Sequence, residues 1–377
     1  MKEIGIYVHI PFCKSKCYYC DFASFADKDE LIDRYVKAVK SEIYHRQSED
    51  YIIKTIYIGG GTPSYIPEKY IEEILAMIEN CFLVSNDAEI TIEVNPGTVN
   101  KSKLSAYMNS GINRLSVGLQ SANNELLKKI GRIHSLEDYE KTINLAQKVG
   151  FKNINTDIII GLPDQTIYDV ENAINKVVSL GINHISIYSL IVEENTKMEQ
   201  MLNSKKYSLP DEEMERYMYW FAKRKLEDEG FNHYEISNFA KEGMQSKHNM
   251  DCWNQKEYLG FGSAAASYEN KVRYKNIEAV NSYIKNIEEN SLEKNLRIEE
   301  KQTEIDEMNE FMILGLRKIK GVDVIRFKNK FLKSPFKVYK EKLKKLFDEG
   351  LIFVAPNVIR LTDKGLDLAN IVWEEFV

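Results

Sequence analysis

The stretch HIPFCKSKCYYCDF, residues 9 to 22, carries Cys13, Cys17 and Cys20, three of the chain's five cysteines, in the spacing CxxxCxxC. Three thiolates on one short loop can each hold a different iron of a cubane 4Fe–4S cluster. One iron is then left without a protein ligand, which is the open coordination a metal needs if a small molecule is to bind it directly. Phe22 stands where a fourth thiol would extend the run, and a phenyl ring neither ligates nor transfers a proton. The alternative is a structural zinc site completed by His9, Cys81 or Cys252.

Other polar groups lie at the ends of short apolar runs: Tyr7, the GGGTP segment at 59 to 63, Glu93, Gln120, Asp157 and Ser189. Gly59, Gly60 and Gly61 allow close backbone approach and expose N–H and C=O groups to a ligand. Glu93 and Asp157 can accept hydrogen bonds from hydroxyls or an ammonium, Gln120 can donate and accept, and Arg132 can clamp a carboxylate through two N–H groups.

The elements that must position these groups are repeated βα units. Strand-like runs occupy 3 to 10, 52 to 59, 88 to 95, 112 to 119, 153 to 161 and 184 to 192. Helical patterns fall near 30 to 48, 67 to 82, 100 to 110, 123 to 149 and 166 to 180, with Gly111, Gly150 and Gly181 where helix C-caps are expected. Right-handed crossovers put all these helices on one side of the sheet. The expected fold is therefore α/β, a partial (βα)6 TIM-like barrel with its ligand groups gathered at the C-terminal ends of the strands. After residue 195 the rhythm changes to a helix near 210 to 229, a short strand HYEIS, a loop KHNMDCWNQKEYLGFGSAAAS and a strand around KVRYKN. From about 300 the order helix, helix, helix, two strands, helix predicts a winged-helix-like α+β unit. The expected division is 1 to 195, 196 to 300 as an extension of the barrel, and 301 to 377.

CxxxCxxC on the first βα loop followed by GGGTP on the second resembles the radical S-adenosylmethionine superfamily, in which a 4Fe–4S cluster reduces S-adenosylmethionine and cleaves it to a 5′-deoxyadenosyl radical. The similarity runs from YVHIPFC to the C-terminal RLTDKG. It points to the branch that contains anaerobic coproporphyrinogen III dehydrogenase (HemN) and the heme chaperone HemW. It implies Cys13, Cys17 and Cys20 as cluster ligands. It also implies Tyr7, Tyr19, Gly60, Gly61, Thr62, Glu93, Gln120, Arg132 and Asp157, with Ser189 as a looser match, as contacts of S-adenosylmethionine. The dehydrogenase pattern is CxxxCxxCxC, and Phe22 occupies its last position here. The segment HNMDCW, 248 to 253, resembles the HNxxYW motif of the chaperone branch with Cys252 in place of tyrosine. This implies His248 as a heme ligand, sharing a face with Cys252 if the segment is helical. In the alternative, His248 and Asn249 brace a loop beneath Trp253.

The function implied is heme chaperoning: binding heme beside the cluster and S-adenosylmethionine, and handing it to a client protein such as a membrane-associated respiratory enzyme. The alternative is an oxygen-independent coproporphyrinogen III oxidase, so whether the chain acts as an enzyme stays open.

Composition narrows the classes. The 377 residues are 44% hydrophobic and 29% charged with 8 prolines, as in an ordinary globular protein. An odd cysteine count argues against a disulfide framework and for a reducing compartment. His9 and Pro11 interrupt the first apolar run before a signal sequence or membrane span could be completed, so a cytoplasmic location is expected. The net charge of −6 hides a basic stretch, 317 to 346, with twelve Lys or Arg against Asp323 and Glu341. Such a stretch suits anionic headgroups or a solvated helix face. With the remainder acidic and no stripe of interleaved aromatic and basic residues, nucleic acid is not an expected partner.

Overall fold

The computed structural model describes residues 1–377. Six parallel strands, β1 (Lys2–Ile10), β2 (Tyr51–Gly60), β3 (Leu83–Val94), β4 (Arg114–Gln120), β5 (Asn153–Ile160) and β6 (His184–Ser189), lie side by side in chain order. They are connected by α1 (Ile32–His45), α2 (Glu68–Cys81), α3 (Lys101–Asn109), α4 (Asn124–Lys129), α5 (Leu136–Val149) and α6 (Ile167–Ser179). The six strands do not close on themselves. The sheet continues past β6 and past β1 into later parts of the chain, giving an open, partial barrel of the expected α/β type.

Side chains alternate between the faces of a strand, and here the two faces differ in chemistry. One face carries Ile4, Ile6, Val8 and Ile10 of β1, Ile56 and Ile58 of β2, Ile92 and Val94 of β3, Leu115 and Val117 of β4, and equivalents on β5 and β6, all buried beneath the helices in one core. The other carries Tyr7, Tyr57, Glu93, Ser116, Asn155 and Ser186. A parallel strand covered on both faces by apolar layers reads as a continuous apolar run. The interrupted pattern of these strands reflects an inner face that encloses a polar cavity.

Helix ends follow local rules. The helix expected over 123 to 149 is two helices: Gly131, at φ +75°, ends the first, and a capping box between Ser135 and Asp138 starts the second. Gly111, Gly150 and Gly181 each have positive φ at a helix end, as expected. The last strand stops at Ser189 rather than 192, while β3 begins at Leu83.

Beyond β6 come α7 (Lys197–Asn203), α8 (Glu212–Asp228), β7 (Asn232–Glu235) and β8 (Asn238–Ala240), the last antiparallel to β6. The segment expected to be a loop instead forms α9 (Lys247–Trp253), capped by Ser246, followed by β9 (Tyr258–Phe261), which pairs in parallel with β1. β10 (Ala266–Glu269), β11 (Val272–Asn276), α10 (Val280–Glu288) and β12 (Leu296–Lys301) complete that edge. Buried Glu42 ties this extension to the barrel. It accepts hydrogen bonds from Tyr283 Oη (2.6 Å), Asn276 Nδ2 (2.8 Å) and the Gly262 amide (2.8 Å).

The C-terminal unit is winged-helix-like: α11 (Glu304–Arg317), β13 (Val322–Asp323), α12 (Val324–Phe331), α13 (Pro335–Val338), α14 (Lys340–Asp348), β14 (Ile352–Ala355) and β15 (Val358–Leu361), then two short helices. Its three strands form a separate sheet and its 18 core residues all lie between Met308 and Phe376. Part of the basic stretch faces the barrel rather than solvent. Arg317 stacks on Trp253 at 4.3 Å, Lys318 Nζ and Arg326 Nη1 both donate to Asn254 Oδ1 at 2.7 Å, and Lys330 donates to Gln255. Burial lowers Lys318 to a pKa of about 8. α11 starts from a capping box of Thr303 and Asp306. Thr303→Ala is expected to cost about 1 kcal/mol, read as a lower midpoint in urea with an unchanged slope.

Candidate functional site

A cavity of about 390 Å³ opens at the C-terminal ends of the parallel strands. It is lined by Cys13, Cys17, Tyr19 and Cys20 from the loop after β1, Gly60 at the end of β2 with Gly61 and Thr62 following it, Glu93 on β3, Gln120 on β4, Asp157 on β5, Arg132 after α4 and Ser189 at the end of β6. Residues scattered over 177 positions thus meet in one space because each βα crossover returns the chain to the same edge.

The cysteine loop is clamped onto the second βα loop. The Gly61 amide donates to Ile10 O (2.9 Å) and the Thr62 amide to Phe12 O (2.9 Å). A Cβ on Gly61 would stand 2.9 Å from Cys13 Sγ and 3.0 Å from Phe12 O, so this position requires glycine. Thr62 Oγ1 donates to Cys13 Sγ (3.4 Å), Cys20 Sγ meets Ser24 Oγ at 3.9 Å, and Arg132 Nη1 donates to Cys17 Sγ (3.6 Å). Burial raises the thiol pKa of Cys13 and Cys20, and the bonds from Thr62 and Ser24 pull the other way.

No three His, Cys, Asp or Glu side chains of the chain, these thiols included, converge on a single point. The three residues considered as the fourth ligand of a zinc ion are engaged or distant. His9 bonds Tyr7 through Nδ1 (3.0 Å) and Ala23 O through Nε2 (2.8 Å), Cys81 faces Met77 on α2, and Cys252 sits on α9. Three separated sulfurs around a common space fit a polynuclear cluster that offers one iron to each.

On the next layer, Glu93 accepts from Tyr57 Oη (3.0 Å) and from the Gly60 amide (3.1 Å). Burial raises it to a pKa of about 7; the Tyr57 bond opposes this and Asp157 adds to it. Asp157 is also raised by burial, against bonds from Asn155 and Ser186 and the fields of Arg114 and Arg132. Gln120, which lines the cavity at the strand end, has φ +69°, a left-handed conformation for a non-glycine residue. Such strain costs roughly 1–2 kcal/mol and persists where the surroundings enforce it.

Two of the residues singled out from sequence lie off this cavity. Tyr7 does not line the cavity: its hydroxyl pairs with His9 and its ring stacks on Tyr57, which takes the lining position. His248 is 7% exposed and also off the cavity. Its Nδ1 pairs with Thr55 Oγ1 (2.8 Å), its amide donates to Glu89, and its ring lies 5.3 Å from Tyr57. Burial and Arg114 lower it to a pKa of about 4, so it is neutral. Cys252 does follow His248 on one helix, but burial pushes its thiol up to about 12, far from thiolate. His248 is thus held between Thr55 and Glu89.

Several lining residues were not singled out from sequence: Tyr57, Asn95, Arg114, Ser116 and Asn155; Asn249 entered only as a candidate brace of its loop. A signal existed. Tyr57 precedes Gly59 by two, Ser116 and Arg114 precede Gln120 by four and six, and Asn155 precedes Asp157 by two, the period of one strand face.

The Radical SAM superfamily profile matches residues 7–177 and the HemN C-terminal domain profile residues 302–368. The chain is 37% identical over 374 residues to a protein named heme chaperone HemW from Bacillus subtilis (strain 168), covering 98% of each chain. It is 38% identical to heme chaperone HemW from Lactococcus lactis subsp. lactis (strain IL1403), covering 100% of this chain and 98% of that protein. Among solved structures, coproporphyrinogen III oxidase (HemN) from Escherichia coli superposes with a TM-score of 0.86 at 24% identity, covering 100% of this chain and 90% of the other.

Proposed function

The chain belongs to the heme chaperone HemW family of radical SAM proteins, and from that premise we propose that it binds heme and delivers it to a client protein. The proposed cofactors are a 4Fe–4S cluster on Cys13, Cys17 and Cys20 and S-adenosylmethionine beside it. The observation that carries the reading is the convergence of those three thiols with Glu93, Gln120 and Asp157 on one cavity, with Phe22 at its rim. When bound, the cluster would supply an electron to the sulfonium. The chain's own residues bind and orient. Glu93 suits the methionyl ammonium, Gly60 and Gly61 allow its close approach, Gln120 and Asp157 suit ribose hydroxyls, and Tyr19 covers the loop side. Thr62 and Arg132 donate to cluster-facing sulfurs and so favour thiolate.

Phe22 is 64% exposed at the cavity mouth. It offers apolar surface where the dehydrogenase pattern has a thiol, which favours holding a flat macrocycle over transforming one. No helix of the chain is long and apolar enough to cross a membrane. The outward lysines of residues 317 to 346 remain suited to an anionic surface near a membrane-bound client.

Anaerobically reconstituted protein should give a saturable Soret change on heme titration and no vinyl product from coproporphyrinogen III. Vinyl formation would overturn the reading in favour of the oxidase. His248→Ala is expected to leave the position of the Soret band unchanged while lowering stability by about 1–3 kcal/mol, the cost of emptying a buried hydrogen-bonded site. A displaced band in that variant would restore His248 as an iron ligand.

A further inference from the structure

We propose that Arg114 forms, with Ser116, a carboxylate-binding subsite on the floor of the cavity. Two guanidinium groups line this space, and they differ in what they have left to give. Arg132 is already held by three bonds: Nη2 donates to Asn95 Oδ1 and Gly118 O, both at 2.8 Å, and Nη1 to Cys17. Arg114 is 2% exposed, its Nε has no hydrogen-bond partner, and Asp157 feels it only through space. Its neighbours across the sheet, Thr91 on β3 and Asn153 on β5, hold the unpaired buried atoms Oγ1 and Oδ1 in the same row. Two residues up the same face of β4, Ser116 Oγ accepts from Asn155 (2.8 Å) and keeps its own proton to donate. A buried cation with no directly bonded counterion is costly to fold around, and a guanidinium fork matches a carboxylate in shape and charge. The carboxylates available to this cavity are tetrapyrrole propionates, on the reading that the chain binds heme, and the methionyl carboxylate of S-adenosylmethionine.

The test uses the full, anaerobically reconstituted chain and two ligand pairs that differ only in that charge: heme against heme dimethyl ester, and S-adenosylmethionine against its decarboxylated analogue. Wild type is expected to favour heme over the ester by about tenfold, the scale of one charge-assisted contact. Arg114→Met should erase that preference and Arg114→Lys, which keeps the charge but loses the fork, should retain part of it. Arg114→Met should also unfold no earlier than wild type, because the costly charge is gone. If Arg114→Met instead erases a preference within the S-adenosylmethionine pair, the subsite stands with the methionyl carboxylate as its occupant. Preferences unchanged in both pairs for both variants would overturn the subsite. Failure of wild type to bind heme at all would sink the chaperone reading while leaving the S-adenosylmethionine pair to decide Arg114.

Discussion

Cys17→Ser is expected to yield a folded, colourless protein with less than one iron per chain, where anaerobically reconstituted wild type holds about four. The serine hydroxyl is nearly isosteric but does not ionise near neutral pH, so it cannot replace a thiolate. Folding should survive because Cys17 lies outside the apolar core and its sulfur takes one hydrogen bond, from Arg132 at 3.6 Å. Nothing nearby can stand in for it: Cys81 is on α2 and Cys252 on α9, held away from the loop by their helices. Iron analysis and the visible charge-transfer band read the outcome, with far-ultraviolet circular dichroism as the control for folding. Full iron content in the variant would remove Cys17 from the ligand set.

Binding of S-adenosylmethionine should strengthen as pH rises through about 7, by nearly tenfold per unit below that point. Burial holds the Glu93 carboxyl at a pKa of about 7, with the Tyr57 bond opposing and Asp157 adding to the shift. The protonated acid cannot pair with the methionyl ammonium, whereas the carboxylate can, so affinity follows the ionised fraction upward. Glu93→Gln should bind more weakly at pH 8, by one to two orders of magnitude on the scale of a buried charge pair, and lose this pH dependence. Equilibrium dialysis between pH 5.5 and 8 separates the cases; equal slopes in wild type and variant would mean that another group governs. The same shift acts on stability with the opposite sign. The folded carboxyl binds its proton more tightly than the unfolded one, with pKa about 7 against 4.5. The ligand-free protein therefore loses about 3 kcal/mol from this group as pH climbs through that window.

Legibility varied with the range of the physics involved. The six parallel strands and most helices could be read in advance, because alternation, apolar periodicity and glycine C-caps are local properties. α9 and β9 could not. KHNMDCW is short and polar for a helix, and YLGF is four residues with a glycine. Both are ordered by what they dock against, Glu89 and Thr55 for α9 and the free edge of β1 for β9. The same holds for the basic stretch, whose cations look alike in sequence although Arg317, Lys318, Arg326 and Lys330 meet aromatic rings and amides across an interface.

By itself the sequence determined the chemistry on offer: three thiols on one loop, a glycine-rich turn, and acids and amides at strand ends, since ligand type and spacing along a loop are covalent facts. Only the tertiary structure decided which side chains are free to use that chemistry. His248 and Arg132 read from sequence as available ligands and are already bonded, whereas Arg114 reads as one more strand residue and keeps an unpaired Nε. The reason is that hydrogen-bond satisfaction and desolvation depend on neighbours distant in the chain, and no local pattern records who those neighbours are.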